Sequence, residues 1–596
     1  MNTFKKFTII LTSLTVLTPL LWKGAGGEAQ AQSWQWVNRI GGGLSPVNTD
    51  YPDEMVRDMV TDSQGNVYAC GRVIGSTGAG QPTVNGTSFV SIGGYDAYLA
   101  KFDCHGNLVW IKTAGNIQDG DDGISVLLGN DGYLYFMGRI FSSTIGWATF
   151  FGDSLVPFDY LIDQDMFLAK VDTAGNLQWV KWANPGNQSA SSSFPYTIAF
   201  DNQNRINVLI QIPSDTSLFW PGSPVVLKKG MYITKFDTSG ALVEVDTITR
   251  YTPGTSLYGP LYSDMVITPS NEIYLSGYFN TDSMFIANTY IPKIGSEENG
   301  FIAKFNSSAV LQWIYQIAHP TSLSNTTEPR LQLLPSGNIA FACKTAAGVI
   351  IGNDTLVNTV PLNNGGAGMV ALLSPQGIPI WATNSMHRLG GALPGGLLLD
   401  NTGKLRATGF FAGGSWISVF GNDTLSASGL TDSYLESIDT LGNILGAIKL
   451  QSTGGNDAPQ CIAKDISNNI FVAGGYDGTI TYNSNTLTYA GGHTDGFIAK
   501  YGTICTTDIQ ELSNSQKTQL NIYPNPASRY INIIVKEGNI NAISILNTLG
   551  QTVFKKQLLK YNQENTQLNI STLPPGIYII QVTGKNNPAT AKFIKE

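Results

Sequence analysis

The chain has 596 residues, and only 13% of them are charged, about half the ~25% of an ordinary soluble domain. Glycine (65) and aromatic residues (25 Tyr, 26 Phe, 11 Trp) are abundant instead, which excludes a charged coiled coil and an aromatic-poor disordered chain and favours an all-β protein of several units. The net charge of −8 is unevenly spread: residues 33–516 hold 23 basic and 39 acidic side chains, net −16, whereas 517–596 hold 9 and 3, net +6, and an acidic body argues against nucleic acid as a partner.

In chain order, the first segment reads as an address. Lys5 and Lys6 precede an apolar run over 7–22, and Ala29-Gln30-Ala31 places small residues at the positions a signal peptidase reads. A secretory signal peptide over 1–31 is expected. Beyond it the longest apolar runs fall short of the ~18 residues of a membrane helix, so the mature chain is expected to have no transmembrane span.

From there the sequence repeats. YLAKFDCHGNLVWIK (98–112) returns as FLAKVDTAGNLQWVK (167–181), YITKFDTSGALVEVD (232–246) and FIAKFNSSAVLQWIY (301–315). Weaker copies lie at 369–383 and 434–448, and a seventh, FIAKYG (497–502), stops half way. The equivalent positions Lys101, Lys170, Lys235, Lys304, Leu372, Ser437 and Lys500 are 69, 65, 69, 68, 65 and 63 residues apart. A second motif of the type DSQGNVYACG (62–71) alternates with the first and also occurs seven times. Each motif is two short apolar runs joined by a tight Asp/Asn/Ser/Gly turn, hence a β-hairpin, and two hairpins make a four-stranded blade. The expected fold is a seven-bladed β-propeller over 32–505. The strand missing from the seventh copy is expected from SWQWVNRIGG (33–42), which resembles NLVWIKTAG (107–115) and would close the seventh blade. Trp36, Trp110, Trp179, Trp313 and Trp381 share one repeat position and are read as packing between blades. Two inserts, IGNDTL (351–356) and FGNDTL (420–425), read as accessory hairpins. The five cysteines (Cys70, Cys104, Cys343, Cys461, Cys505) are odd in number and widely spaced, so neither a disulfide framework nor a zinc site is implied, and most are expected on buried strands.

With these motifs the body resembles the SBBP-type bacterial β-propeller repeat family. The resemblance covers roughly 33–502 and speaks to fold; it implies no defined activity. Leu372 and Ser437 in place of Lys, and Gly446 in place of Trp, depart from the pattern.

Residues 506–519 (TTDIQELSNSQKTQ) read as a linker, and 520–596 as a small β domain with a proline-stiffened opening, Tyr523-Pro524-Asn525-Pro526. The opening, a turn through Gly550, a hairpin carrying Gly576 and Tyr578, and a terminal AKFIK with Lys592 together resemble the type A C-terminal sorting domain of the type IX secretion system of Bacteroidetes-type bacteria. The resemblance implies an Ig-like β-sandwich, the type IX secretion machinery as partner, export to the cell surface or medium, and removal of the domain afterwards.

Chemistry-bearing motifs are sparse. His105, His319, His387 and His493 lie in no zinc-hydrolase spacing, there is no GxSxG, and Gly41-Gly42-Gly43 does not sit between a strand and a helix. Asp119, Asp121 and Asp122 lack the closing Glu of a calcium loop and read as a blade-capping turn. No catalytic residue, metal or cofactor is assigned. Turns within hairpins are tight and the links between hairpins long, so alternation places the long links on one face, where binding residues are expected. Tyr51, Tyr196, Tyr251, Tyr258, Tyr262, His319 and His387 lie in such links, with Tyr251, Tyr258 and Tyr262 the densest group. The expected function is a non-enzymatic binding or adhesion scaffold for an extracellular glycan or protein. The alternatives are a secreted enzyme on an extracellular polymer, such as a glycan lyase or hydrolase, and a structural envelope component.

Overall fold

A computed structural model describes residues 32–42, 54–74, 81–116, 120–142, 146–152, 154–158, 163–183, 194–212, 218–219, 225–250, 261–295, 298–318, 326–345, 349–352, 354–356, 367–384, 392–412, 417–483, 485–491, 493–505, 519–536, 542–547, 552–557, 565–583 and 589–596. The expected signal segment 1–31 and most of the expected linker lie outside them. The chain divides into two compact units, Met1–Cys505 and Thr506–Glu596.

The described strands of the larger unit form seven antiparallel sheets with the same four-strand core. The first is Met55–Thr61, Val67–Ile74, Tyr95–Phe102 and Leu108–Gly115; the second Asp122–Leu128, Tyr133–Ser142, Asp163–Asp172 and Leu177–Trp182. The third is Phe194–Phe200, Ile206–Ile212, Gly230–Phe236 and Leu242–Arg250; the fourth Leu261–Ile267, Ile273–Phe279, Asn299–Phe305 and Leu311–Ile317. The fifth is Thr326–Leu333, Ile339–Thr345, Ala367–Leu373 and Pro379–Asn384; the sixth Ala392–Leu399, Leu405–Ala412, Thr431–Ile438 and Ile444–Thr453. The seventh takes three strands from one end of the unit, Asp457–Lys464, Ile470–Tyr476 and Asp495–Gly502, and its fourth, Ser33–Gly41, from the other. Trp36 pairs with Lys500 there, just as Trp110 pairs with Lys101 and Trp179 with Lys170.

The two middle strands of each sheet are apolar because both their faces are covered. Ile206–Ile212 and Asn299–Phe305 are buried throughout, whereas the outer strand Leu311–Ile317 is half-buried and keeps its polar residues. Separate hydrophobic cores fill the spaces between successive sheets. Tyr68 and Leu99 meet Phe136 and Phe167 between the first two, and Ile40 and Phe471 meet Val67 and Tyr98 between the seventh and the first. The first strands of successive sheets also touch in order, and Asp457–Lys464 returns to Met55–Thr61.

The repeated Trp and Lys serve these junctions. Trp110 Nε1 and Lys101 Nζ both donate to the Thr173 carbonyl, in the tight turn of the next sheet, at 3.2 and 3.3 Å. Trp179 and Lys170 converge on Thr238 O, Trp313 and Lys304 on Pro375 O, and Trp36 and Lys500 on Cys104 O. Each indole lies over the glycine of that turn, so a Cβ at Gly175 would stand 2.9 Å from Trp110 and one at Gly377 2.7 Å from Trp313. The tryptophans therefore pack sheet on sheet.

Two cysteine expectations part ways. Cys70, Cys343 and Cys461 are buried and free. Cys104 and Cys505, however, form a disulfide across 401 residues, a single bridge that the spacing of the cysteines did not point to. The sequence distance concealed a spatial neighbourhood: Cys104 sits in the turn gripped by the seventh sheet, and Cys505 follows that sheet's last chain segment.

Parts of the long links are paired strands. The inserts at 351–356 and 420–425 are indeed hairpins, Val349–Ile351 with Asp354–Leu356 and Ile417–Phe420 with Asp423–Ser426. Others add to the outer strand of the preceding sheet: Thr83–Val84 pairs with Ser33–Gly41, Gly146–Phe150 with Leu108–Gly115, and Thr479–Tyr482 with Ile444–Thr453. They cover backbone edges that would otherwise be exposed.

The smaller unit has a three-stranded sheet (Gln519–Tyr523, Tyr530–Lys536, Asn565–Asn569) and a four-stranded one (Thr552–Gln557, Ala542–Leu546, Gly576–Thr583, Ala589–Lys595). Ile531, Ile533 and Leu568 of one pack against Ile543, Ile580 and Phe593 of the other.

Candidate binding site

The first strand of every one of the seven sheets breaks register, at Val56/Asp58, Gly123/Ser125, Pro195/Thr197, Tyr262/Asp264, Thr327/Arg330, Pro394/Gly396 and Pro459/Cys461. A bulge re-aims the side chain it extrudes. Arg57, Ile124, Tyr196, Ser263 and Gln460 occupy such positions, and all line one cavity of about 280 Å³ to which all seven first strands contribute.

Two carboxylates stand on its wall, and both are engaged by backbone. Asp58 accepts bonds from its neighbour Met59 N (2.8 Å) and, across the junction to the second sheet, from Ser125 Oγ (2.7 Å) and Val126 N (3.0 Å). Asp264 repeats the arrangement three sheets on, with Met265 N and Leu331 N at 2.8 Å each. Burial pushes Asp58 up to about 6, against the pull of its three hydrogen-bond donors, and also raises Asp264. Both act as latches between first strands. Tyr196, Gln460, Arg57 and Arg330 also line the cavity.

Of the acidic run, Asp119 lies outside the described residues. Asp121 is buried and accepts from Asn116 N (2.9 Å) and Phe141 N (2.7 Å), while Asp122 pairs with Arg57 at 2.9 Å and Arg139 at 3.6 Å. These are the bonds of a capping turn. Among the described residues, Cys104, His105 and Cys505 are grouped closely enough to hold a metal ion, but their two thiols are joined as the disulfide.

The expected ligand residues divide. Tyr196 does reach the cavity, in a strand and not in a link, and its hydroxyl donates to Gln211 Oε1 at 2.5 Å. Tyr262 is only 4% exposed, lies in the strand Leu261–Ile267, and meets Tyr196 and Phe301 edge-on at 5.9 and 5.5 Å. Its placement in an exposed link is thereby corrected: it belongs to the core behind Tyr196. Tyr51, Tyr251, Tyr258, His319 and His387 lie outside the described residues. Arg57, Arg330 and Gln460 were missed, and the bulges that aim Arg57 and Gln460 leave no mark on a period-two strand pattern.

In the smaller unit the quoted motifs meet. Asn525 accepts from Ile594 N (2.8 Å) and donates to Lys592 O (3.1 Å), so the Tyr523-Pro524-Asn525-Pro526 opening grips the terminal strand. Tyr578, in the strand that begins at Gly576, stacks on Phe593 and donates to Pro574 O. Gly550 lies outside the described residues.

Residues 521–596 match the family of secretion system C-terminal sorting domains. The protein thus carries a sorting domain for the type IX secretion machinery, which directs it to the cell surface or the extracellular space. A curated relative, an endo-acting ulvan lyase of Formosa agariphila, is 35% identical over 71 residues, 12% of this chain and 13% of its own length. Solved structures that match weakly include a protein of unknown function from Dyadobacter fermentans (10% identity, 63% of this chain and 93% of that one, TM-score 0.37). A PL25 polysaccharide lyase, an ulvan lyase bound to a glucuronate–sulfated rhamnose repeat, gives 9%, 78%, 97% and 0.37. A fungal AA5 alcohol oxidase in complex with copper gives 10%, 95%, 99% and 0.33. Among the described residues no helix is long and apolar enough to cross a membrane.

Proposed function

We propose that this chain is a preprotein with a signal peptide over 1–31, whose body is a seven-bladed β-propeller of the SBBP-repeat kind and whose 520–596 segment is an Ig-like sorting domain. The propeller reading is supported by seven four-stranded sheets in repeat order and by cores between successive sheets, including the seventh and the first. The body acts as a non-enzymatic binding scaffold outside the cell. The observation that carries this reading is that Asp58 and Asp264 are held by main-chain N–H groups of their own and the neighbouring strand. A general acid or base must be within reach of substrate, and these carboxylates point their oxygens into the wall. What faces the cavity suits recognition.

The curated lyase keeps the enzymatic reading in view, although 71 shared residues are too few to bring its catalysis across. Probing a glycan and protein array with the purified protein, followed by turnover assays on each hit, separates the two. Capture without turnover is expected. Depolymerisation of a captured glycan would replace the scaffold reading with the lyase or hydrolase reading.

A further inference from the structure

At the junction of the first two sheets, two buried carboxylates meet over one glycine. Asp96, near the start of the strand Tyr95–Phe102, accepts through Oδ2 from Ser91 Oγ and from the N–H groups of Ile92 and Gly93. The residue is fully buried, and its Oδ1 has no hydrogen-bond partner. Among the described residues no lysine or arginine forms an ion pair with it. A Cβ on Gly115 would stand 2.1 Å from that oxygen and 2.6 Å from Oδ2 of Asp121, which is also fully buried. The two carboxylates thus converge over the bare backbone of Gly115.

The junction of the seventh and first sheets repeats the arrangement. Asp495 lies five residues before Lys500, as Asp96 lies five before Lys101. Its Oδ2 accepts from Ala490 N at 2.7 Å and stands 4.0 Å from Arg39 Nε, while its Oδ1 is again buried without a partner. Glu54 takes the place of Asp121, fully buried, and accepts from Gly42 N and Ile74 N at 2.7 and 3.1 Å. Gly41 takes the place of Gly115, and a Cβ there would stand 2.2 Å from Glu54 Oε2 and 3.2 Å from Asp495 Oδ1. Holding the adjoining loop does not require these charges. The fourth sheet has Asn299 five residues before Lys304, and its neutral amide caps the equivalent loop, accepting from Ile294 N and donating to Ile294 O. Between the sixth and seventh sheets Asp432 faces Asp457, but there Lys449 reaches Asp432 at 3.5 Å and Gln451 replaces the glycine. Two carboxylates so close cannot both ionise unless a cation joins them or one keeps a proton.

We propose that the pairs Asp96–Asp121 and Glu54–Asp495 each bind a calcium ion, which fastens the first sheet to its neighbour on either side. Donors that are all oxygen suit a hard cation and give a soft metal nothing to hold. Calcium bonds oxygen at about 2.3–2.6 Å in flexible geometry and fills its remaining positions with water, whereas magnesium demands a near-ideal octahedron that carboxylates held by main-chain N–H groups do not adjust to supply. The sorting domain sends the chain outside the cell, where modules of this kind bind calcium with Kd values of about 0.1–1 mM. The two sites belong to the junctions and stand whatever the cavity binds. Without calcium, each pair holds a proton instead.

The test titrates the full chain, stripped with chelator, against calcium chloride and magnesium chloride at neutral pH in a calorimeter. Two calcium ions per chain are expected, with magnesium at least tenfold weaker. Calcium at about 5 mM should raise the melting temperature by at least about 5 °C over the chelated chain. Asp96→Asn and Asp495→Asn keep an acceptor for the loop, as Asn299 does, and each should lose one ion. The double variant should lose both ions and the rise in melting temperature. Should it melt early even in chelator, the native chain decides: calcium should slow amide hydrogen exchange at least tenfold in the peptides that carry Asp96 and Asp495. Absence of calcium binding by the native chain, undiminished binding by a folded double variant, unchanged exchange in those peptides, or magnesium as tight as calcium would overturn the proposal. So would a melting temperature that mild acid raises and calcium does not, since a proton would then be what joins each pair.

Discussion

At the scale of single residues, the clamp between sheets explains where the repeat keeps its tryptophan and where it does not. The third sheet has Glu244 at that position, in a salt bridge with Lys235 at 3.1 Å. The turn it would press, in the fourth sheet, has Ala309 at a φ of 54° where the others have glycine. With no indole overhead, a methyl fits. The sixth sheet has Gly446, and the seventh offers no such turn because its last strand comes from the other end of the unit. Gly175→Ala should therefore cost about 2–3 kcal/mol, combining left-handed strain at φ +88° with a clash against Trp110. Ala309→Gly should instead gain about 1 kcal/mol by relieving the same strain with no clash involved. Urea midpoints of the two variants check the contrast, which fails if both shift in the same direction. The packing role of the tryptophans was legible from their period. Their partners were not, because each bond reaches a carbonyl about one repeat away, as from Trp110 to Thr173 across 63 residues.

Among elements, the strand Ser33–Gly41 was legible because its WQWV and RIGG pattern matches the strand lacking from the seventh copy. Its pairing with Asp495–Gly502 places Trp36, Val37 and Ile40 in the core at 8, 4 and 1% exposure. Three such side chains contribute about 1.5–3 kcal/mol each. Removing 33–41 should lower stability by more than about 5 kcal/mol, and an unchanged melting temperature would contradict this account. The Cys104–Cys505 bridge ties the same junction covalently, which raises the expected sensitivity of the truncated chain to reductant. The cavity was less legible than either. Alternation reveals which face of a strand is buried, but a bulge adds one residue without altering composition, so Arg57 and Gln460 read as ordinary strand positions. The tyrosines of the links were conspicuous by type, and type alone placed Tyr262 in a link where the chain has a core strand.

The whole molecule should be most stable in mild acid. Burial raises Glu54 well above its usual value, with Asp495 adding to the effect, and also raises Asp495, Asp96 and Asp457. Asp58 stands at about 6. Groups raised in the folded state stabilise it fully below their unfolded values and lose that contribution as pH rises through the folded ones. The turn carboxylates behave oppositely. Asp172, Asp237 and Asp439 are lowered by bonds to turn N–H and side-chain groups, and Asp400 falls to about 2. Their contribution is present above the unfolded value and lost as pH falls toward 2. Between these limits the melting temperature should peak near pH 4–5 and decline toward 7, with Asp58 accounting for up to about 3 kcal/mol of the decline. Asp58→Asn should flatten that slope, and a profile level from pH 4 to 7 would contradict the argument.

The order of synthesis gives the borrowed strand a further meaning. Gln35 donates to the carbonyl of Gly502, 467 residues downstream, so the strand made first is the last to find its partner. At roughly 5–20 residues per second, the interval between them is about 20–90 s. Throughout it, Ser33–Gly41 must stay extended without pairing to any of the six sheets that form meanwhile, all of which present similar edges. Accessory strands take the outer edges of the first and sixth sheets, and each edge so taken is one fewer place for the waiting strand to go astray.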